Sequence, residues 1–115
     1  MEAKQVIIKR GRPKKKRLIN KNPRISLFSP RGKPGRPDEA ILAMEEFEAI
    51  RLADLLGNHQ KRAAQEMHIS QQTFSRIIRR ARKSLANALV RGAIIKIQGG
   101  TYVFSSKETP QQKPA

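Results

Sequence analysis

The chain has 115 residues, enough for one small domain with flanking arms, and its 25 Lys and Arg against nine Asp and Glu give a net charge of +16. This balance suits nucleic acid or an anionic membrane surface, but no apolar run approaches the ~20 residues of a membrane span and no signal-peptide hydrophobic region is found. Cysteine is absent, which excludes disulfides and thiolate metal sites, so we expect a soluble cytoplasmic protein located at the nucleoid.

The first 37 residues form a predicted basic N-terminal arm, because they hold 13 Lys and Arg and a single acid, Glu2. Within this arm, KRGRPKKKR contains the core of an AT-hook, formed by Arg10, Gly11, Arg12 and Pro13. A flat Arg-Gly-Arg segment can enter a narrow A·T minor groove, since the absent glycine side chain allows close approach. A basic tail that binds phosphates without sequence preference explains the same composition equally well.

The remainder of the arm carries a second basic element, SPRGKPGRP at residues 29–37. Its prolines and glycines exclude a helix. Just before it, residues 24–28 are candidates for an additional strand. We place the end of the arm at residue 37.

A long apolar-rich helix is predicted from Met44 to Leu56, with Gly57 ending it. Its inward-facing candidates are Met44, Phe47, Ile50 and Leu55. Three carboxylates stand near its positive end, at Glu45, Glu46 and Glu48. We interpret them as dipole compensation and salt-bridge partners rather than acid/base catalysts, because no nucleophile or metal-ligand grouping is near in sequence. His59 and His68 are interpreted as structural, so we expect no enzymatic activity, no metal and no cofactor.

Residues 60–79 read QKRAAQEMHISQQTFSRIIR, which is the spacing of a helix-turn-helix. Two helices are predicted to share one apolar side across a tight turn, and the small Ala64 allows them to approach closely. The residues of that side are Ala63, Ala64, Met67, Ile69, Phe74, Ile77 and Ile78. His68 stands where such turns usually have Gly, at a position expected to need positive φ. Ser70 is expected to cap the second helix.

The second helix is predicted to expose amide and cationic side chains opposite an apolar stripe. The stripe contains Phe74, Ile78, Ala81 and Leu85, and the opposite face contains Gln72, Arg76, Arg79 and Lys83. Since the first two turns of a recognition helix usually reach base edges, we expect base reading by Gln71, Gln72, Ser75 and Arg76. Further along, we expect phosphate binding by Arg79, Arg80, Arg82 and Lys83. The competing interpretation is a basic solvated face on a structural helix pair.

The C-terminal part carries a hairpin signal. Residues 94–97 and 102–104 are β-branched or aromatic runs around Gly99 and Gly100, which predicts a β-hairpin at residues 94–104. Such a hairpin could contact DNA as a wing, form a dimerisation edge or cover the core; we favour the cover. The polar residues 105–115 are predicted to be a disordered tail.

Several motifs resemble one known family. They include Phe28-Ser-Pro30-Arg-Gly32-Lys-Pro34, which fits the family pattern F-x-P-x-G-x-P, and the acidic block from Glu45 to Asp54. Residues 12–104 resemble the uncharacterised protein family UPF 0251, also called domain of unknown function 134, whose members are predicted DNA-binding proteins. The family's helix-turn-helix is similar to the promoter-reading fourth region of the main bacterial sigma factors. The resemblance therefore implies a role in transcription.

The chain departs from this family pattern at Ala43, where a Ser or Thr commonly stands as a helix cap. Without that side chain, an alternative start for the helix is near Asp38, directly after Pro37.

Together these features predict a mainly α protein with a sigma region-four-like helix-turn-helix core, a small C-terminal β-hairpin and an extended basic arm. We expect an arm at residues 1–37, a DNA-binding domain at 38–104 and a tail at 105–115. The expected partner is double-stranded DNA, bound sequence-specifically by a transcriptional regulator, and a homodimer is left open. The alternatives are a nucleoid-associated protein that binds A·T-rich DNA and an RNA-binding protein. Four Phe and one Tyr offer little surface for stacking unpaired bases, which disfavours RNA.

Overall fold

The computed structural model describes residues 15–32 and 38–105, and close to half of these residues are helical. Three α-helices and five short strands make up the described fold. In chain order the elements are β1 (Arg17–Ile19), β2 (Leu27–Phe28), β3 (Glu39–Leu42), α1 (Met44–Ile50), which continues as a π-helical segment (Arg51–Leu55), then α2 (Gln60–Glu66), α3 (Gln71–Arg91), β4 (Ile94–Ile97) and β5 (Tyr102–Phe104).

Helix α1 begins at Met44 although Ala43, at the N-cap, has no side chain that can accept a hydrogen bond. Instead of accepting a hydrogen bond through its side chain, Ala43 donates one through its backbone N–H, to Oε1 of Glu46 at 2.9 Å. Residues 39–42 are strand β3, so a helix start near Asp38 is wrong. Glu46 thus supplies one half of a capping box, and the half that a Ser or Thr side chain at position 43 would supply is not formed.

The second half of the predicted 44–56 helix is a π-helical segment. The Leu56 N–H donates to the Arg51 carbonyl at 2.9 Å, a contact five residues apart rather than four. The wider turn shifts the side-chain rotation away from the α-helical period. As a result Leu55, predicted to face inward, is 75% exposed, while Met44 is buried as predicted. Gly57, at φ 79°, ends the segment.

The predicted β-hairpin at residues 94–104 is wrong, because β4 and β5 belong to different sheets. Strand β4 is the centre of a three-stranded sheet, antiparallel to β2 and parallel to β3. Strand β5 pairs with β1 in parallel, with Arg17 opposite Tyr102 and Ile19 opposite Phe104. Strands β4 and β5 therefore each pair with strands that are distant in sequence, and they do not pair with each other as the sequence predicted.

The segment between β4 and β5 is held against the start of α1 instead of closing a hairpin. The Gly99 carbonyl accepts the Met44 N–H at 2.9 Å, and Oε1 of Glu45 accepts the Thr101 N–H at 3.1 Å. Gly100 has φ 107°, and a Cβ built there would collide with the Glu45 carboxylate. This turn therefore requires glycine both for its conformation and for the close approach of α1.

The carboxylates of α1 are all engaged by nearby groups, which agrees with their structural interpretation. Besides Glu45, Glu46 lies 3.5 Å from Arg80, and Glu48 forms two 2.8 Å hydrogen bonds with Arg51. Glu48 is fully buried and also accepts the Asn20 backbone N–H at 3.0 Å. Its buried charge is therefore both paired and hydrogen-bonded.

Two apolar clusters hold the helices and strands together. The larger contains Ile19, Ala49, Leu52, Ala63, Ala64, Met67, Phe74, Ile77 and Ile78, and the smaller contains Leu42, Met44, Ala81 and Ile97. Because Ile19 is fully buried in the larger cluster, the described part of the predicted arm contributes to the core. Strand β2 lies within the residues 24–28 that were candidates for a strand. The described residues 15–32 therefore pack with the helices and strands of residues 38–105.

No helix within residues 15–32 and 38–105 combines the length and the apolar character that crossing a lipid bilayer requires.

Candidate nucleic-acid interface

Helices α2 and α3 are joined by a tight turn whose geometry follows the sequence prediction. His68 has φ 57°, which confirms that this position needs the left-handed region. The Ser70 hydroxyl accepts the Thr73 N–H at 3.1 Å and donates to Oγ1 of Thr73 at 3.0 Å, so the predicted cap of α3 is confirmed. The Ile69 N–H donates to the Ala64 carbonyl at 3.1 Å, which folds the turn back on α2.

Small and apolar side chains join the two helices on their inner side. Ala63 and Ala64 of α2, Met67 directly after it, and Phe74 and Ile77 of α3 are all at most 2% exposed. The predicted shared apolar side is therefore confirmed. Its close packing fixes the orientation of α3 relative to α2.

Strand β1 braces the C-terminal end of α2. The Leu18 N–H donates to the Met67 carbonyl, and the Asn20 side-chain amide donates to the Glu66 carbonyl, both at 3.0 Å. Carbonyls at a helix C-terminus have no partner within the helix, so these contacts satisfy them and hold the turn in place.

The eight side chains predicted to contact DNA all lie on α3. Gln71, Gln72 and Arg76 are exposed and Ser75 is half-buried, while Arg79, Arg80, Arg82 and Lys83 are exposed further along the helix. Gln72, Arg76, Arg79 and Lys83 form one outward stripe, because successive members are three or four residues apart and lie opposite the buried Phe74, Ile77, Ile78 and Ala81. We call this set the outer stripe.

Ion pairs divide the four predicted phosphate-binding residues into two groups. Arg82 holds Asp54 through two hydrogen bonds, Nη2 to Oδ1 at 2.8 Å and Nε to Oδ2 at 3.2 Å, and Arg80 lies near Glu46. Both cations therefore face α1 and its π segment. By contrast, no carboxylate in the described ranges pairs with Arg79 or Lys83.

Hydrogen bonding from Arg82 to Asp54 raises the pKa of the guanidinium above its ordinary value, and the charge of Asp54 acts in the same direction. The pair with Asp54 thus favours the charged form of Arg82.

Six of the seven described acidic side chains form ion pairs, and none of these pairs includes a residue of the outer stripe. These pairs are Asp38–Arg91, Glu39–Lys96, Glu46–Arg80, Glu48–Arg51, Asp54–Arg82 and Glu66–Arg62. The seventh, Glu45, accepts a backbone N–H. The cations of the outer stripe are therefore left without a direct ion pair from the described residues.

The predicted minor-groove residues Arg10, Gly11, Arg12 and Pro13 lie outside the described residues. Among the residues that are described, no three His, Cys, Asp or Glu side chains come together as ligands for a metal ion. Both His59 and His68 are exposed.

Comparison with known proteins identifies the family of this chain. The family model described as protein of unknown function DUF134 matches residues 7–105. The chain belongs to this family. The resemblance seen in the sequence motifs is thereby confirmed.

Members of the DUF134 family similar to this chain come from bacteria and an archaeon. A UPF0251 protein of Prosthecochloris aestuarii is 40% identical over 105 residues, covering 90% of this chain and 68% of the relative. A UPF0251 protein of Caldicellulosiruptor bescii is 50% identical over 95 residues, with coverages of 83% and 66%. A UPF0251 protein of Methanococcus maripaludis is 44% identical, with coverages of 82% and 73%. The chain thus spans about two thirds of the length of these relatives. No solved structure matches it.

Two acidic residues of this DUF134 protein bear on the candidate interface although the sequence did not single them out as partners of α3. Asp54 pairs with Arg82 across 28 residues of chain, and Glu46 pairs with Arg80 across 34. No local pattern on α3 indicates these contacts, since the partners lie on a different helix. The available signal in the sequence was the family's acidic block at residues 45–54, because it contains both Glu46 and Asp54.

Proposed function

We propose that this protein binds duplex DNA sequence-specifically through α2, the turn at residues 67–70 and α3, which together act as a helix-turn-helix, and that it regulates transcription. The observation that carries the proposal is the outer stripe, where amide and guanidinium side chains are exposed opposite a fully buried apolar side. A polyanion removes the repulsion between its like charges three and four residues apart.

The beginning of α3 has the chemistry for reading bases. Gln71, Gln72 and Arg76 are exposed in its first two turns. A glutamine side chain can pair bidentately with adenine and an arginine with guanine in the major groove. The Ser70 cap and the packed turn fix these side chains relative to α2, so the residues that read bases are presented by a rigid pair of helices.

The two unpaired cations further along α3 suit phosphate binding better than the two paired ones. Arg79 and Lys83 are free to contact the DNA backbone, whereas Arg82 must first leave Asp54 and Arg80 must leave Glu46. We therefore assign the main phosphate contacts to Arg79 and Lys83. Arg80 and Arg82 would hold α3 against α1 and its π segment.

Selection of bound fragments from random duplex DNA tests the proposal. A sequence-specific regulator enriches one defined motif, and Gln72→Ala should change or lose that motif. Enrichment of A·T-rich fragments without a motif would support the nucleoid-associated alternative instead. Retention of no duplex, combined with binding of single-stranded RNA, would reject DNA as the partner.

A further inference from the structure

A cavity of about 370 Å³ lies on the side of the protein formed by residues 21–28, α1 and its π segment. Its apolar lining includes Phe47 and Ile50 of α1, which also pack against the core. It also includes Ile25, Phe28 and Leu55, which are 58%, 50% and 75% exposed. Large apolar side chains exposed singly are common on protein surfaces, but several that line one concavity indicate a binding site.

Three cationic residues are among those that line this cavity. Lys21, Arg24 and Arg51 contribute to its lining, and no acidic residue does. Arg51 is already paired with Glu48 at 2.8 Å. Lys21 and Arg24 are exposed, and in the described part of the chain no carboxylate pairs with either. The site therefore combines an apolar interior with two cationic lining residues that no described carboxylate neutralises.

We propose that this cavity binds a small amphipathic anion, namely a ring or short acyl chain that carries a carboxylate. The apolar part would lie among Ile25, Phe28 and Leu55 and remove their surfaces from water. The carboxylate would lie at the rim, where Arg24 and Lys21 can donate charge-assisted hydrogen bonds.

The size of the cavity favours a small molecule over a protein. Ligand pockets have volumes of about 300–1,000 Å³, are mostly apolar and carry a few polar groups that orient the ligand. Ten residues line this cavity, whereas a standard protein interface takes roughly 20–30 residues from each side. No lining residue belongs to α2 or α3, so the proposal does not depend on the proposed DNA binding.

Three probes with the same apolar chain and different head groups test the charge requirement: hexanoate, 1-hexanol and hexylamine. Each is titrated into the full ¹⁵N-labelled chain and followed by amide chemical shifts. We expect hexanoate to bind most tightly and hexylamine most weakly, with shifts concentrated in residues 21–28 and 47–55. Equal affinity for the three probes, or saturable shifts located elsewhere, would overturn the proposal.

Leu55→Ser tests the location, because it removes apolar lining at an exposed position that the core does not require. It should lower hexanoate affinity roughly fivefold. The matched control is Leu89→Ser, a leucine that is 83% exposed and lies outside the cavity, which should leave the affinity unchanged. If both variants weaken binding equally, the probe binds without a defined site and the proposal is wrong.

Arg24→Gln tests the rim. It should weaken hexanoate binding about two- to fivefold, because an exposed ion pair is worth little, and leave 1-hexanol binding unchanged. Arg31→Gln is the control, since Arg31 is exposed but does not line the cavity. Sedimentation of the full chain completes the test. Self-association that Leu55→Ser abolishes would make the cavity an interface between two copies and would also overturn the proposal.

Discussion

Arg82 and Asp54 connect α3 to the π segment through a bidentate pair, with the shorter N–O distance at 2.8 Å. Both side chains are partly exposed, so water and salt weaken the pair and it contributes ~0.2–1 kcal/mol to stability. Its larger consequence concerns charge, because Asp54 neutralises one of the cations nearest the outer stripe.

Asp54→Asn is therefore expected to strengthen DNA binding on every sequence. The substitution releases Arg82, and if Arg82 then contacts a phosphate, the log-log salt dependence of affinity steepens by up to ~0.9. Fluorescence anisotropy on a random duplex at several salt concentrations measures both quantities. Asp38→Asn is the control, because it makes the same change of charge at the far end of α3, where Asp38 pairs with Arg91. Equal effects of the two variants would attribute the gain to net charge alone.

Gln72→Ala and Arg76→Ala are each expected to cost ~1–3 kcal/mol of binding free energy at a specific site and little on random DNA. Their exposed side chains stand opposite the buried Phe74, in the turns of α3 that can reach base edges. Competition binding with specific and random duplexes measures the difference. Gln98→Ala, at an exposed glutamine outside α3, should change neither affinity. Equal losses on both duplexes would instead assign Gln72 and Arg76 to phosphate contacts.

Arg79→Ala and Lys83→Ala should weaken binding by similar amounts on all sequences, because phosphates carry no base identity. Each should make the log-log salt slope shallower by roughly 0.9. Arg91→Ala is a suitable control, since Arg91 is on the same helix but pairs with Asp38. An unchanged slope in the Arg79 or Lys83 variant would mean that this side chain faces solvent in the complex.

Gly11→Leu tests the minor-groove hypothesis for the arm while keeping every charge. A bulky side chain should obstruct approach to the groove floor, so preference for A·T-rich over G·C-rich flanks should be lost. Gly32→Leu is the matched control in the second basic element, where a Cβ would meet no atom within 4 Å. If flank preference and affinity both survive Gly11→Leu, the arm binds phosphates without preference and the AT-hook interpretation fails.

Gly100→Ala should destabilise the fold more than Gly99→Ala. Both residues have positive φ, which costs an alanine ~1–2 kcal/mol, but only at Gly100 does the added Cβ collide with the Glu45 carboxylate. Because Glu45 must then shift and give up its hydrogen bond from the Thr101 N–H, we expect an additional loss of ~0.5–1.5 kcal/mol in the free energy of unfolding, measured with urea. Similar losses in the two variants would show that Glu45 moves aside without consequence.

The features that the sequence predicted correctly depend on residues close together in the chain. The Ser70 cap spans three residues, the φ of His68 reflects one position, and the buried side of α3 follows from the helical period. Neighbouring backbone groups and side-chain spacing determine such features, so they can be recognised without the fold. The candidate site residues were placed on one helix for the same reason.

Only the tertiary structure decided the features that depend on distant partners. Residues 94–104 carry the signal of a hairpin, yet β4 pairs with β2 and β3, and β5 pairs with β1, because contacts with these strands and with α1 replace the local turn. Likewise, the α-helical period predicts that Leu55 faces inward, but the π segment turns this side chain outward. The chain alone predicts that Arg82 is an exposed cation, but its distance from Asp54 is set by the packing of α1 on α3, and that packing divides the cations of α3 into paired and unpaired groups.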